Sequence, residues 1–324
     1  MVNLKAALRC GVIINDHIGQ NIYKLVVRSR ELARGAAPGR FAMVKCGGGA
    51  YLRRPFGFCD ADEAAGTATF MYRAGGAGTS QLAQRARGDV LDIVGPLGRG
   101  FDIFDGKHAI VCGGTGVFPM LLLAKRLRAQ TAAKPDIFAG YRGRESMWLA
   151  RELAEQADRF TPSTDDGSAG AAGTVADAFR DALDAGAAYD GVYACGPQAM
   201  LGALQQICGA RGLNAQASLE QRMGCGVGAC LACACAVAAG GAAGESNASG
   251  VARACKNAGE NIFDLGGAAA NAAVGDAVGY AGKSASVAAC ADAVATGGGR
   301  GFEYARVCRD GPVFSLGALL FDEM

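Results

Sequence analysis

Apolar and polar positions alternate along Ile22-Tyr23-Lys24-Leu25-Val26-Val27 and again along Ala68-Thr69-Phe70-Met71-Tyr72, with glycine- and proline-bearing turns between such stretches. A period of two marks strands with one face in a core, so residues 1–100 are expected to form a small antiparallel β-barrel. From about residue 107 the pattern changes. His108-Ala109-Ile110-Val111-Cys112 is a continuous apolar run, followed by glycines and then by a helical pattern from Phe118 to Ala129. The same order recurs: Asp136 to Tyr141 as strand, Glu145 to Ala157 as helix, Val175 to Leu183 as helix, and Gly191-Val192-Tyr193-Ala194 as strand. Strands alternating with helices predict an open parallel sheet over residues 101–216. The turn Gly95-Pro96-Leu97 and the following Gly98-Arg99-Gly100-Phe101 mark the boundary between barrel and sheet.

Beyond Ser218 neither period holds. Residues 217–324 read as a third, small unit interrupted by the stretch 236–305, more than half of it Ala or Gly, for which no regular structure is expected. Apolar and polar residues mix again from Phe302 to Cys308, so the last segment is expected to fold. With 51% hydrophobic and 19% charged residues, the chain is globular. A net charge of +2, from 32 basic against 30 acidic residues, is too small for nucleic acid or an anionic membrane, which leaves small molecules and protein as partners. Lys5, Arg9, Asp16 and His17 interrupt the apolar positions near the start, and the uncharged run Met223 to Gly244 consists largely of Gly, Ala and Cys, which gain little in lipid. No membrane span is expected.

Thirteen cysteines, an odd number in a chain this long, suit reduced thiols in a cytoplasm better than a disulfide framework. Cys225-x4-Cys230-x2-Cys233 has the spacing of plant-type [2Fe–2S] sites, which draw a fourth cysteine from a distant segment. Gly224, Gly226 and Gly228 let such a loop bend with its N–H groups toward the sulfurs. A structural zinc favours two C-x2-C pairs, and only one is present. Cys235 reads as a small buried residue beside the cluster. For the fourth ligand, Cys255 and Cys290 lie in the Ala/Gly stretch, whereas Cys308 stands between a strand and the turn Asp310-Gly311-Pro312 and is the choice.

Gly113-Gly114-Thr115-Gly116-Val117-Phe118-Pro119 joins the apolar strand to its helix, a place where a diphosphate approaches the backbone. Cys195-Gly196-Pro197 ends another strand of the same sheet, and ligands of open α/β sheets bind beyond the carboxyl ends of strands. In the barrel, Arg53-Arg54-Pro55-Phe56 offers two guanidinium groups to a diphosphate beside an aromatic ring, and Gly75-Gly76-Ala77-Gly78-Thr79 offers a second anion-holding loop.

In this order the motifs resemble the electron-transfer subunit of NAD-linked, type-B dihydroorotate dehydrogenases, within the ferredoxin-reductase-like group. Arg54, Pro55, Phe56 and Gly57 are similar to that family's first flavin motif, with Gly57 where a serine is usual; Met71, Tyr72 and Arg73 are similar to its second, and Gly78 and Thr79 to its third. Gly114, Thr115 and Gly116 resemble the nicotinamide-side loop, and Cys195, Gly196 and Pro197, with Met200, its second element. Ser218-Leu219-Glu220 to Met223 resembles the lead into the cluster, and Cys308-Arg309-Asp310-Gly311-Pro312-Val313-Phe314 the closing motif with the last iron ligand. The resemblance implies FAD, a [2Fe–2S] cluster and NAD as cofactors. It also implies a partner: an FMN-containing dihydroorotate dehydrogenase catalytic subunit, two copies of each chain assembling, with electrons passing from FMN through the cluster and FAD to NAD.

Two other readings use the same residues. A flavin subunit of a ferredoxin- or sulfide-linked NAD(P) oxidoreductase often carries an aspartate as first cluster ligand, where this chain has Cys225. A non-catalytic metal or redox sensor on a reductase scaffold predicts no bound flavin. NAD against NADP is left open by the sequence.

Overall fold

The computed structural model describes residues 7–238 and 302–321. Seven strands come first: β1 (Leu8–Gly19), β2 (Ile22–Arg28), β3 (Phe41–Val44), β4 (Arg54–Gly57), β5 (Asp60–Asp62), β6 (Thr67–Arg73) and β7 (Val90–Leu97). Two short helices interrupt them, α1 (Arg30–Gly35), whose start the Ser29 side chain caps, and α2 (Ala77–Leu82). All pair antiparallel in the order β4-β3-β7-β1-β2-β6-β5. Leu25, Val27, Phe58, Ala68 and Phe70 fill the inside with Leu32 of α1. Each such large side chain taken from water contributes about 1.5–3 kcal/mol.

The second region holds β8 (His108–Gly113), α3 (Val117–Gln130), β9 (Asp136–Tyr141), α4 (Ala150–Gln156), β10 (Phe160–Thr164), β11 (Ala171–Ala172), α5 (Val175–Asp184), β12 (Gly191–Cys195), α6 (Gln198–Ala210) and β13 (Ala215–Ser218). Then come a hairpin of β14 (Ala234–Ala238) with β15 (Phe302–Arg306), and β16 (Val313–Ser315). The second sheet runs β11-β10-β9-β8-β12-β13-β16, parallel up to β13. The central strands β8 and β12 read as nearly unbroken apolar runs because both faces are covered. Ala109, Val111, Val192 and Ala194 point to the α5 and α6 side, while Ile110, Cys112, Tyr193 and Cys195 point to the α3 side.

Four details differ from the pattern reading. Residues 145–157 are not one helix: a short turn at Arg144–Ser146 is followed by Leu149 at φ 59°, and α4 starts only at Ala150. β16 lies antiparallel on β13, so the end of the described chain returns to the nucleotide-type sheet. Residues 236–238, within the Ala/Gly stretch, are strand and pair with 302–304, part of the strand expected before Cys308, whereas Cys255 and Cys290 fall outside the described residues. Gly78 and Thr79 stand inside α2 rather than in a loop before it. Among the described residues no helix is long and apolar enough to cross a membrane.

Candidate functional site

The chain runs outward from β8 through β9 and β10 to β11, then returns to lay β12 on the other side of β8. That reversal is the switch point at which an open α/β sheet forms a crevice at its carboxyl edge. Two loops meet there. A Cβ on Gly116 would lie 2.3 Å from the Cys195 carbonyl oxygen and 2.8 Å from the Gly196 nitrogen, so backbone packs directly on backbone. Gly113 and Gly196 leave room for the Met200 thioether. The structure thus brings Gly114, Thr115 and Gly116 together with Cys195, Gly196 and Pro197. Cys195 stands opposite Cys112 in the β8–β12 pairing, and burial pushes both thiols up, Cys112 to about 12. They are apolar packing, not nucleophiles.

Two residues at this edge were given no binding role in the sequence reading, although Glu220 fell within the lead into the cluster. Glu220, just past β13, faces the Thr115 hydroxyl and the Arg73 charge; loss of solvation raises its carboxyl pKa although both neighbours work the other way. Trp148 lies in the break before α4, with the Arg73 guanidinium 5.6 Å from its ring centre and Phe118 6.0 Å away. The interruption of the helix that places this buried ring there was the missing signal. Its place as the chain's one tryptophan was the signal available.

The barrel brings its three motifs together on the neighbouring surface. The Arg54 guanidinium stands at Gly78, where a Cβ would lie 3.2 Å from it, so the first and third flavin-type motifs touch. The Phe56 ring lies 5.3 Å from Tyr72, which also stacks on Tyr23 and donates its hydroxyl hydrogen to Asn15. Met71 is buried against the second sheet. Thr79 accepts at Oγ1 from the N–H groups of Gly75 and Gly76. Arg53 is different: it pairs with the Asp92 carboxylate at 3.0 Å and with the Asp92 carbonyl, whereas Arg54 donates only to the Leu52 and Arg53 carbonyls and has no carboxylate partner among the described residues. Pro55 and Gly57 lead from Arg54 toward the crevice, and a Cβ on Gly57 would be 3.2 Å from Pro119 of α3. A serine there meets the helix, which is a physical reason for glycine. Lys125 of α3 also pairs with Asp60 at 2.5 Å, tying barrel to sheet.

The thiols form two pairs. The Cys225 N–H points at the Cys230 sulfur at 3.4 Å, and the Cys308 N–H at the Cys233 sulfur at 3.4 Å. Among the described residues no three such side chains close on a single point. Burial opposes ionisation of Cys225, but the N–H groups of Val227, Cys230 and Ala229 outweigh it and bring the thiol down to about 7. Cys233 falls to about 6, first because Cys308 hydrogen-bonds to it, while the same bond and burial push Cys308 up. Cys235 is buried and raised to about 12, chiefly by burial and then by Cys233. The loop also touches the barrel: Gly226, at φ +74°, packs on Met43 and Leu97, and Met43 stands opposite Pro55 across β3 and β4.

Residues 110–206 match the family model described as the oxidoreductase NAD-binding domain. Residues 220–257 match the iron-sulfur cluster binding domain of dihydroorotate dehydrogenase B. A relative from Caldanaerobacter subterraneus subsp. tengcongensis, named as the dihydroorotate dehydrogenase B (NAD(+)) electron transfer subunit, is 38% identical over 231 residues, 71% of this chain and 88% of its own. One of the same name from Geobacillus thermodenitrificans is 37% identical over 235 residues, 71% of this chain and 89% of its own. Among solved structures, a chain of an NADH-dependent reduced ferredoxin–NADP oxidoreductase aligns with a TM-score of 0.70 at 20% identity, covering 97% of this chain and 90% of that one. Phthalate dioxygenase reductase aligns with a TM-score of 0.53 at 17% identity, covering 71% and 86%. At those identities the likeness is one of fold.

Proposed function

The chain belongs to the family of dihydroorotate dehydrogenase B electron transfer subunits, and from that premise we propose that it carries electrons between a dihydroorotate dehydrogenase catalytic subunit and NAD, through a [2Fe–2S] cluster and FAD. The observation that carries this reading is the two-plus-two arrangement of the sulfurs. A single zinc needs its donors around one point, whereas a two-iron cluster takes two thiolates on each iron. The pairing of Cys225 with Cys230, and of Cys233 with Cys308, supports the second arrangement. The depressed Cys225 and Cys233 thiols are ready to bind metal at neutral pH. FAD, when bound, supplies the link between two-electron exchange with a nicotinamide and single-electron exchange with a cluster.

This chain's own residues provide binding and positioning. Arg54, with Gly78 and Thr79, holds the flavin diphosphate; Pro55, Phe56 and Gly57, with Met71, Tyr72 and Arg73, line the flavin side of the crevice. Gly114, Thr115 and Gly116 face Cys195, Gly196 and Pro197 across the nicotinamide side. Contact of Gly226 with Met43, the cross-strand neighbour of Pro55, keeps cluster loop and flavin surface within one strand of each other. The domains follow: residues 1–100 for FAD, 101–216 for NAD and 217–324 for the cluster. The partner carries FMN, two copies of each chain assemble, and the complex works in the cytoplasm.

The test is anaerobic purification of the full chain, with iron, sulfide and flavin counts and a visible spectrum before and after NADH. About two irons per chain, with FAD that bleaches on NADH, is the expected outcome; zinc without flavin overturns the reading in favour of a sensor. Reduction of the chain by dihydroorotate only when the catalytic subunit is added identifies the partner.

A further inference from the structure

Six of the seven described tyrosines have partners. Tyr23 and Tyr72 stack on each other, Tyr141, Tyr189 and Tyr193 donate their hydroxyls to Trp148, Asp136 and Asp102, and Tyr304 meets Phe302. Among the described tyrosines Tyr51 alone has no hydrogen-bond or ring partner, and it is 99% exposed, with Leu52 beside it at 53%. A loose loop is not the reason. Gln81 donates to the Gly48 carbonyl at 2.7 Å, Arg53 is locked on Asp92, and Arg54 donates to the Leu52 carbonyl at 2.6 Å. The backbone on both sides of Tyr51 is tied down while the ring faces water. An exposed apolar pair on an anchored turn is the form of a binding surface rather than a folding element.

Its position says what it binds. β4 runs from Arg54 to Gly57, and its Gly57 end faces Pro119 and the crevice. On the proposed function, which this inference rests on, the redox ring of FAD lies at the crevice end and the diphosphate at Arg54. A dinucleotide continues past its diphosphate into ribose and adenine, away from the redox ring. The chain preceding Arg54 in that direction is Leu52 and Tyr51, and three residues span at most ~11 Å, about the reach of an adenosine. We propose that Tyr51, with Leu52, is the platform on which the adenine of FAD stacks, so that this loop makes the chain select FAD over FMN. Every base presents a flat π-face, and an exposed tyrosine presents another without losing much side-chain freedom on binding.

The test uses the full chain stripped of flavin and titrated with FAD and with FMN, following flavin fluorescence. Tyr51→Ala is expected to raise the Kd for FAD roughly tenfold or more, the size of one base–aromatic stack, and to leave the Kd for FMN unchanged. Tyr51→Phe and Tyr51→Trp are expected to keep the wild-type preference, since the ring and not the hydroxyl is used. An unchanged FAD Kd in Tyr51→Ala overturns the proposal, including the case in which that variant instead binds the catalytic subunit less tightly. Equal weakening of FAD and FMN also overturns it, because the loop would then act on the flavin or its first phosphate. A wild-type chain that binds neither flavin sinks the proposed function itself and is distinct from either result.

Discussion

The crevice of the second sheet and the thiol loop are built in opposite ways. At the crevice, Gly116 meets the Cys195 carbonyl and Gly113 and Gly196 meet Met200, so its shape is set by backbone and buried side chains at the ends of β8 and β12. In the thiol loop, residues 224–233 contain no helix or strand, and their sulfurs are held by N–H groups at 3.3 to 3.4 Å. One site exists before its ligand arrives. The other has its backbone wrapped for a guest, and binding there is coupled to local folding.

Removing the guest gives the largest expected difference. Chelating the iron should strip hydrogen-exchange protection from residues 224–233 and leave β8 and β12 protected; loss of protection in both would break the comparison. Cys308→Ser is expected to reduce iron to near zero and also to lower the melting temperature, because Cys308 is buried. Cys230→Ser, at an exposed position, should lose the cluster with little change in melting. Iron assay with thermal unfolding separates the two.

Next in size is Gly116→Ala. Its methyl meets backbone that cannot swing away, so the variant should lose about 1–3 kcal/mol of stability. NADH binding should weaken while iron content stays at the wild-type level. Arg54→Ala should raise the FAD Kd about tenfold, the loss of a charge-assisted contact to phosphate, whereas Arg53→Ala, already engaged with Asp92, should leave it unchanged and cost under about 1 kcal/mol of stability. The smallest effect belongs to Glu220. Its carboxyl titrates higher folded than unfolded, so the folded state binds the extra proton, and stability falls as pH rises from the unfolded value through the folded one. Glu220→Gln should remove that slope in denaturant titrations run from pH 4 to 7, without touching iron content.

The two regions were also unequally legible. The runs at His108 and Gly191 declared buried parallel strands because nothing polar interrupts them, and the x4, x2 spacing of three cysteines declared the loop. Position along the chain did not reveal which guanidinium was without a carboxylate partner: Arg53 and Arg54 are neighbours, and only the approach of β7 assigns Arg53 to Asp92. Leu149 breaks the expected helix through a left-handed residue, for which leucine gives no warning in sequence. Glu220 acquires its role by meeting Thr115 across two strands of the folded sheet, a relation that no local period contains. The antiparallel return of β16 was equally silent, since three residues make no pattern.

That return has a structural consequence beyond pairing. β13 would otherwise end the second sheet with a bare row of amides and carbonyls, a template for another chain. Gln216, Ala217 and Ser218 are instead closed by Ser315, Phe314 and Val313, and Gln205 clasps the carbonyls of Leu316 and Leu319 just behind them. The strip of chain that carries Cys308 therefore also covers the edge at which a second copy could add a strand. With Cys308 as the proposed fourth iron ligand, damage to this one short segment is expected to surface as two apparently unrelated faults, loss of iron and aggregation.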